Sequence, residues 1–533
     1  MEANCTYLSY AETNYFSKLV LDYINNEALL KPFYTQPVNI NGIKAAIEAR
    51  KSFSQQRTVL VQELQNQYEG VEKSDALIAN INLLLRENTF TVTTAHQPNI
   101  FTGPLYFIYK ILHTIKLAQH LKQQLPENNF VPVYYMGSED ADLEEIGSFY
   151  IDGVKYVWNT QQTGAVGRMK VDKDFLKLIV QMHGQLGVLP QGIEVINLFT
   201  KVYTIGKTIQ HATLELVNTL FGAYGLVILI PDNPRLKKLF EPVVTKELTE
   251  QFSHKAVTAT IAALQTHYKA QAGGRELNLF YLVDDKRERI EISGSQFTVA
   301  ALDVHFSKDE IIKELQEHPE RFSANVILRG AFQETVLPNI AFIGGGGELA
   351  YWLELKQVFE AIAIPYPVLI LRNSFLLIEE KVKQKIDALG LSAAELFRPN
   401  FELMHLIVAR QSANKFSLNG GLKEVEDIYE EIMQLATNID TTLNAHVAAL
   451  KVKAVKKLYE LEKKMLRAEK RKFEAEQRQV EKIRSILFPN NSLQERVENI
   501  ALYYAKYGNE LFDILLQHSL ALEQQFAYLD IKA

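Results

Sequence analysis

Phe90-Thr-Val-Thr-Thr-Ala-His-Gln-Pro-Asn-Ile-Phe-Thr-Gly-Pro-Leu-Tyr-Phe-Ile-Tyr-Lys110 decides how the rest of the chain is read. Phe90 to Thr94 is β-branched and aromatic, as a buried strand is. Pro98, Gly103 and Pro104 stop a ladder from continuing. Pro104 suits the first turn of a helix, where its missing N–H costs nothing. Leu105, Ile108, Leu112, Ile115 and Leu117 then give that helix an apolar stripe. A helix that starts past the carboxyl end of a parallel strand offers free N–H groups and a positive dipole end to phosphate or carboxylate. Strand-turn-helix units also occur throughout α/β proteins with no ligand. The polar crowd on this turn, Thr94, His96, Gln97, Asn99 and Thr102, is what favours a site.

Working outward, 533 residues exceed one ordinary core, so two or more domains are expected. A hydrophobic fraction of 47% with 23% charged residues is that of a soluble globular protein, and a net charge of −6 gives no global pull toward nucleic acid or anionic membrane. The single cysteine, Cys5, excludes an internal disulfide framework and a Cys-rich metal site, in keeping with a reducing cytosol. No apolar run is long enough to span a bilayer, and no signal segment opens the sequence. A cytoplasmic, soluble protein without a membrane partner is expected.

Residues 1–88 read as a helical lead-in that packs on the core. After the central unit, Phe130-Val-Pro-Val-Tyr-Tyr-Met136 is a second strand and runs into Gly137-Ser-Glu-Asp-Ala-Asp-Leu-Glu-Glu145. The right-handed βαβ crossover places both strand-end loops on one sheet edge, so Glu139, Asp140 and Asp142 face the crevice of His96 and Gln97. Three such carboxylates can bind an ammonium, accept from hydroxyls, hold Mg²⁺ or act as base; an acidic helix start is the plainer alternative. Residues 146–200 read as a strand-like insertion. A helix from Val202 to Phe221 precedes the buried strand Leu226 to Pro231, and residues 236–325 form a second insertion with strands near Leu277 to Val283 and Glu288 to Ile292, around a turn at Asp284 to Lys286.

Asn339-Ile-Ala-Phe-Ile-Gly-Gly-Gly-Gly-Glu348 repeats the strand-to-helix pattern, with Gly344 to Gly347 able to form an anion nest. It matches neither a dinucleotide fingerprint nor a P-loop. A third such unit, Tyr366 to Ser374, sets Arg372 and Ser374 just past a strand, a place suited to phosphate or carboxylate. Beyond about Gly420, Leu443, Val447, Leu450, Ala454, Leu458, Leu461 and Met465 recur at coiled-coil spacing with one stutter. Its Lys451 to Arg484 stretch is basic, but interleaved glutamates mark a solvated face and disfavour nucleic acid. Two helices close the chain. The expected organisation is therefore α/β: a lead-in, 1–88; a parallel-sheet core, 89–385, with insertions at 146–200 and 236–325; and a helical coiled-coil domain, 386–533.

Together these residues resemble one family, the cysteine-adding enzyme or "putative cysteine ligase" of bacillithiol biosynthesis. The resemblance spans nearly the whole chain: Thr94-Ala-His-Gln-Pro with Phe101-Thr-Gly-Pro-Leu-Tyr106, Gly137-Ser-Glu-Asp-Ala-Asp142, Leu328-Arg329 with Gln333, Gly344-Gly345 with Glu348-Leu-Ala-Tyr351, Arg372 with Ser374, and Leu487-Phe-Pro-Asn with Leu493-Gln-Glu-Arg496. The family often has Gly-Gln-Gln in place of Ala95-His96-Gln97, and histidine in place of Ala141. The resemblance implies a Rossmann-like core akin to class I aminoacyl-tRNA synthetases, a coiled-coil homodimer, and ligation of cysteine to the nitrogen of glucosaminyl-malate. With it, Glu139, Asp140 and Asp142 become the candidate catalytic residues. Lys110, Arg329 and Arg372 are candidates for anionic groups, and Thr102 and Gly103 for the nucleotide or malate pocket. His96, Gln97, Tyr106, Gln333, Gly344, Gly345, Glu348, Tyr351 and Ser374 complete the binding set. ATP, with Mg²⁺, would activate the carboxyl; a noncatalytic nucleotide-binding adaptor working through its coiled coil is the alternative.

Overall fold

The computed structural model describes residues 2–284, 286–411 and 419–532; of the expected hairpin turn, Asp285 lies outside them. In chain order the strands are β1 (Glu2–Leu8), β2 (Thr89–His96), β3 (Asn129–Met136), β4 (Ser148–Ile151), β5 (Val154–Val157), β6 (Val227–Leu229), β7 (Leu279–Val283), β8 (Lys286–Arg289), β9 (Glu291–Ser293), β10 (Gln296–Val299), β11 (Val304–Phe306), β12 (Phe322–Ala324), β13 (Asn339–Gly344), β14 (Val368–Leu371), β15 (Phe375–Glu379) and β16 (Phe526–Lys532). Two units emerge: residues 1–377 with 492–533, and residues 378–491.

The first unit is organised on a five-stranded sheet of order β14-β13-β2-β3-β6. Every neighbouring pair in it is parallel, so all five carboxyl ends lie on one edge. The chain runs from β2 outward through β3 to β6 and later builds β13 and β14 on the other side. The order therefore reverses between β2 and β13, where crevices of doubly wound sheets form. Phe90, Val92, Ile340, Ile343, Val368 and Ile370 share one core with the helices Ile40–Lys51 and Tyr106–Gln124. Burying this much aliphatic and aromatic surface, at about 25 cal/mol per Å², is what holds the layers together. The threonines of β2 are buried with their hydroxyls satisfied: Thr93 donates to Asn339 Oδ1 at 2.8 Å and Thr94 to the Ile343 carbonyl at 2.8 Å.

Several expectations change. The central strand runs on through His96, and its helix begins at Tyr106. The lead-in opens with a strand, β1, which pairs antiparallel with β16 from Glu2–Lys532 to Leu8–Phe526. The last segment, expected within the helical domain, thus belongs to the first unit, because strand pairing across the whole chain outweighs the local helical composition before it. The 146–200 stretch holds the β4–β5 hairpin, a 3₁₀ turn at Val166–Arg168 and then two helices, Lys173–Leu186 and Gly192–Val202. The helix expected from Val202 starts at Ile209, capped by the Thr208 hydroxyl.

The second unit is helical. Its main helices are Asn419–Ile439, Leu443–Lys470 and Glu474–Leu487, so the expected single arm is broken twice. The first two lie side by side: Lys451 donates to Glu430 at 2.6 Å and Thr437 to Asn444 at 2.6 Å. That pairing partners one apolar seam within the chain, while Leu435, Ile439 and Val452 stay exposed.

Candidate active site

The carboxyl ends of β2, β3, β13 and β14 open into a cleft of about 1060 Å³. Of the expected residues, His96, Gln97, Tyr106, Lys110, Asp140, Asp142, Arg329, Gly345, Glu348, Tyr351 and Arg372 line it. β2 delivers His96 and Gln97, the loop after β3 delivers Asp140 and Asp142, and the helix Val326–Val336 delivers Arg329.

Asp140 is the most heavily bound group. Arg329 donates to both its oxygens, the Nη1 contact being 2.8 Å, Arg287 approaches to 3.7 Å, and the Gln97 amide donates at 2.8 Å. Burial works against the charged carboxylate, but Arg329, Arg287 and Gln97 outweigh it and hold Asp140 below its ordinary pKa. The same Gln97 nitrogen reaches Asp142 at 3.3 Å, so one amide spaces two carboxylates. Glu145 joins them on the cleft wall, and its carboxyl is pushed above its ordinary value by burial and then by Asp142 and Asp140. Asp140 is thus held toward its ionised form, and Glu145 has the higher proton affinity of the two.

On the β2–β13 side, Lys110 forms an ion pair with Glu348 and donates to the Ala95 carbonyl at 2.9 Å. Glu348 also accepts the Gly345 N–H at 2.8 Å, so the protein's own carboxylate occupies the first N–H of the expected nest. Burial lowers the Lys110 pKa against the pull of Glu348. His96 packs on Tyr106 and Phe107, ring centroids 5.3 and 5.2 Å away. Burial, with Lys110 and Arg372 nearby, pushes it well below its ordinary pKa, so the imidazole is neutral. Tyr106 is pushed up to about 12 by burial and Glu348; Arg372 lies over its ring at 5.1 Å and pairs with the buried Glu495 at 2.7 Å.

Six expected residues do not line the cleft. Glu139 turns away from Asp140 to pair with Lys237 and accept from Ser323 at 3.2 Å. Gln333 donates to Glu334 at 3.0 Å, in a buried cluster with Arg50 and Asn339. Ser374 donates to Glu495 at 3.2 Å. Gly344 ends β13 inside the packing, where a Cβ would meet Phe342 at 2.8 Å. Thr102 and Gly103 sit in a turn closed from outside: Asn499 donates to the Phe101 and Gly103 carbonyls at 2.8 and 2.6 Å, and the Phe101 N–H donates to Tyr203 at 3.0 Å. That turn is a joint of the fold.

Sequence reasoning passes over Glu145 and the arginines of the second insertion. Arg275, Arg287 and Arg289 line the cleft, as does Arg496. Alternation along Lys286-Arg-Glu-Arg289 sets Arg287 and Arg289 on one face, a signal shared with any solvated hairpin. Among the described residues, no group of three or more His, Cys, Asp or Glu is placed to hold a metal ion. No described helix is long and apolar enough to cross a membrane.

Residues 1–373 match the family model described as "Bacillithiol biosynthesis BshC, N-terminal Rossmann-like domain", and residues 375–531 match "Bacillithiol biosynthesis BshC, C-terminal coiled-coil domain". The chain belongs to the BshC family. Two relatives named "Putative cysteine ligase BshC" are each 41% identical: one from Flavobacterium johnsoniae, over 100% of both chains, and one from Christiangramia forsetii, over 99% of both. A structure titled as that of a "putative arginyl t-RNA synthetase" from Campylobacter jejuni covers 88% of this chain and 98% of its own, at 10% identity and a TM-score of 0.23. At that score the likeness carries no argument. The Rossmann-like core and helical coiled-coil domain of the BshC family stand on the family models and on the parallel sheet.

Proposed function

We propose that this BshC-family chain is a carbon–nitrogen ligase that joins the carboxyl of cysteine to the glucosamine nitrogen of glucosaminyl-malate, with ATP activating the carboxyl. The observation that carries the reading is a cleft that brings carboxylates and arginines together, in a chain whose full-length relatives bear the ligase name. The carboxylates Asp140, Asp142 and Glu145 suit an amine, and the arginines among the lining residues suit acids and phosphates. Amide formation needs the amine neutral at the moment of attack, and Glu145 is the group suited to take its proton. Asp140, held ionised by two guanidinium groups, orients the amine instead. Lys110 and Arg372 supply positive potential beside the reacting carboxyl while tied to Glu348 and Glu495, so they position without reorganising. ATP would supply the leaving group that makes the carboxyl reactive, and Asp142 is the carboxylate that would be open to a Mg²⁺ arriving with it.

The same reading has the enzyme act in the cytoplasm as a homodimer joined through exposed apolar residues of the helical unit. Light scattering that reports a monomer would overturn that part alone. The chemistry is tested by incubating the full chain with cysteine, glucosaminyl-malate and ATP and following the amide and the nucleotide by mass spectrometry. Amide formation with stoichiometric nucleotide cleavage is expected; neither product would sink the ligase reading.

A further inference from the structure

The outer wall of the cleft comes from the insertion hairpin, and the reading above leaves its aromatic platform unused. Residues alternate faces along a strand, so Arg287 and Arg289 of β8 project the same way, and both line the cleft. Phe280 of β7 stands opposite Arg289 in the antiparallel register. Its ring packs against both guanidinium groups, 3.9 Å from Arg287 and 5.8 Å from Arg289. Stacking on one ring restrains two long side chains that would otherwise lose much rotamer freedom on binding a ligand. The two arginines differ in what they face. Arg287 approaches Asp140 to 3.7 Å, whereas Arg289 is exposed and, among the described residues, forms no ion pair. Glu276 and Glu291 share this wall, also without an ion pair among the described residues.

We propose that Arg289, held on Phe280, recognises the acid half of the amine substrate: its planar fork takes a carboxylate of the malate group, while the amine end lies toward Asp140. This rests on the ligase reading of the same cleft. The spacing supports it, since two residues along a strand are about 6.8 Å apart. Arg289 therefore stands one strand repeat outward from the arginine that meets Asp140, and the wall measures a molecule carrying an amine and an acid on either side of one sugar linkage. An arginine fork binds a carboxylate through two parallel hydrogen bonds. Lysine in its place would offer charge without that geometry.

Isothermal titration calorimetry on the full chain, wild type against Arg289→Gln and Arg289→Lys, tests the assignment with three ligands: glucosaminyl-malate, methyl glucosaminide, which keeps the amine and lacks the acid, and ATP. Arg289→Gln is expected to weaken glucosaminyl-malate about tenfold or more and to leave methyl glucosaminide and ATP unchanged, with Arg289→Lys recovering part of the loss. Unchanged glucosaminyl-malate affinity in Arg289→Gln overturns the assignment and leaves the ligase reading standing. Equal losses for glucosaminyl-malate and methyl glucosaminide overturn it too, since the side chain then shapes the cleft without reading the acid. A loss confined to ATP gives the wall to phosphates, against the proposal. Wild-type protein that binds no glucosaminyl-malate removes the ligase reading and the assignment together.

Discussion

Two turns leave neighbouring strands of the parallel sheet, one after β2 and one after β13, and both are rich in glycine or proline. The turn after β2 is closed: Asn499, some 400 positions away in sequence, holds its Phe101 and Gly103 carbonyls, and Gly103 sits at φ +62 with Asn99 packed where a Cβ would go. The turn after β13 is open: Gly345, Gly346 and Gly347 line the cleft, and Gly345 has ordinary extended backbone, φ −72 and ψ 170. Glycine in the first turn serves conformation, and in the second it serves access. The two roles are indistinguishable by composition and separable by substitution.

Gly103→Ala is the harshest way to break the contrast. A Cβ there would lie 2.6 Å from the Asn99 amide nitrogen, on a backbone that L residues rarely adopt. Strain and overpacking together are expected to cost about 3 kcal/mol or more, read as a lower midpoint in thermal or denaturant unfolding. Asn499→Ala removes the outside clasp and strands two buried carbonyls; about 2 kcal/mol is expected, with turnover per folded molecule retained. Gly345→Ala is the converse. Its Cβ would find Glu348 Oε2 at 3.4 Å and Arg372 Nε at 3.6 Å, ordinary contacts, so stability should move by no more than about 0.5 kcal/mol. A methyl group would nevertheless stand in the cleft, and kcat/KM should fall. Gly345→Ala that melts early with normal turnover would erase the distinction between the turns.

The same contrast shows what the sequence could carry. The strands of the core were legible because each is a short apolar run bounded by glycine, proline or polar residues, and parallel pairing then puts their loops on one edge without further information. Which way a loop side chain points was not legible. Glu139 and Asp140 are adjacent, yet Lys237 draws one outward while Arg329 and Arg287 draw the other into the cleft; all three cations are far along the chain. β16 was read as part of a helical tail because only its pairing with β1, at the opposite end of the sequence, makes it a strand. Arg289 was unreadable for a related reason. Its platform, Phe280, exists only once the hairpin register is set.

The central claim, that the carboxylates beyond β3 carry the amine chemistry, is tested most directly by the pH dependence of kcat/KM in wild type and Glu145→Gln. The Glu145 carboxyl is raised by burial and by Asp142 and Asp140, so as the base it gains competence as pH rises through a value above its ordinary one. Wild-type kcat/KM is therefore expected to climb through an acid limb displaced upward. Glu145→Gln should lose that limb together with about 100-fold or more of the rate. The same limb and a near-wild-type rate in the variant would contradict the account.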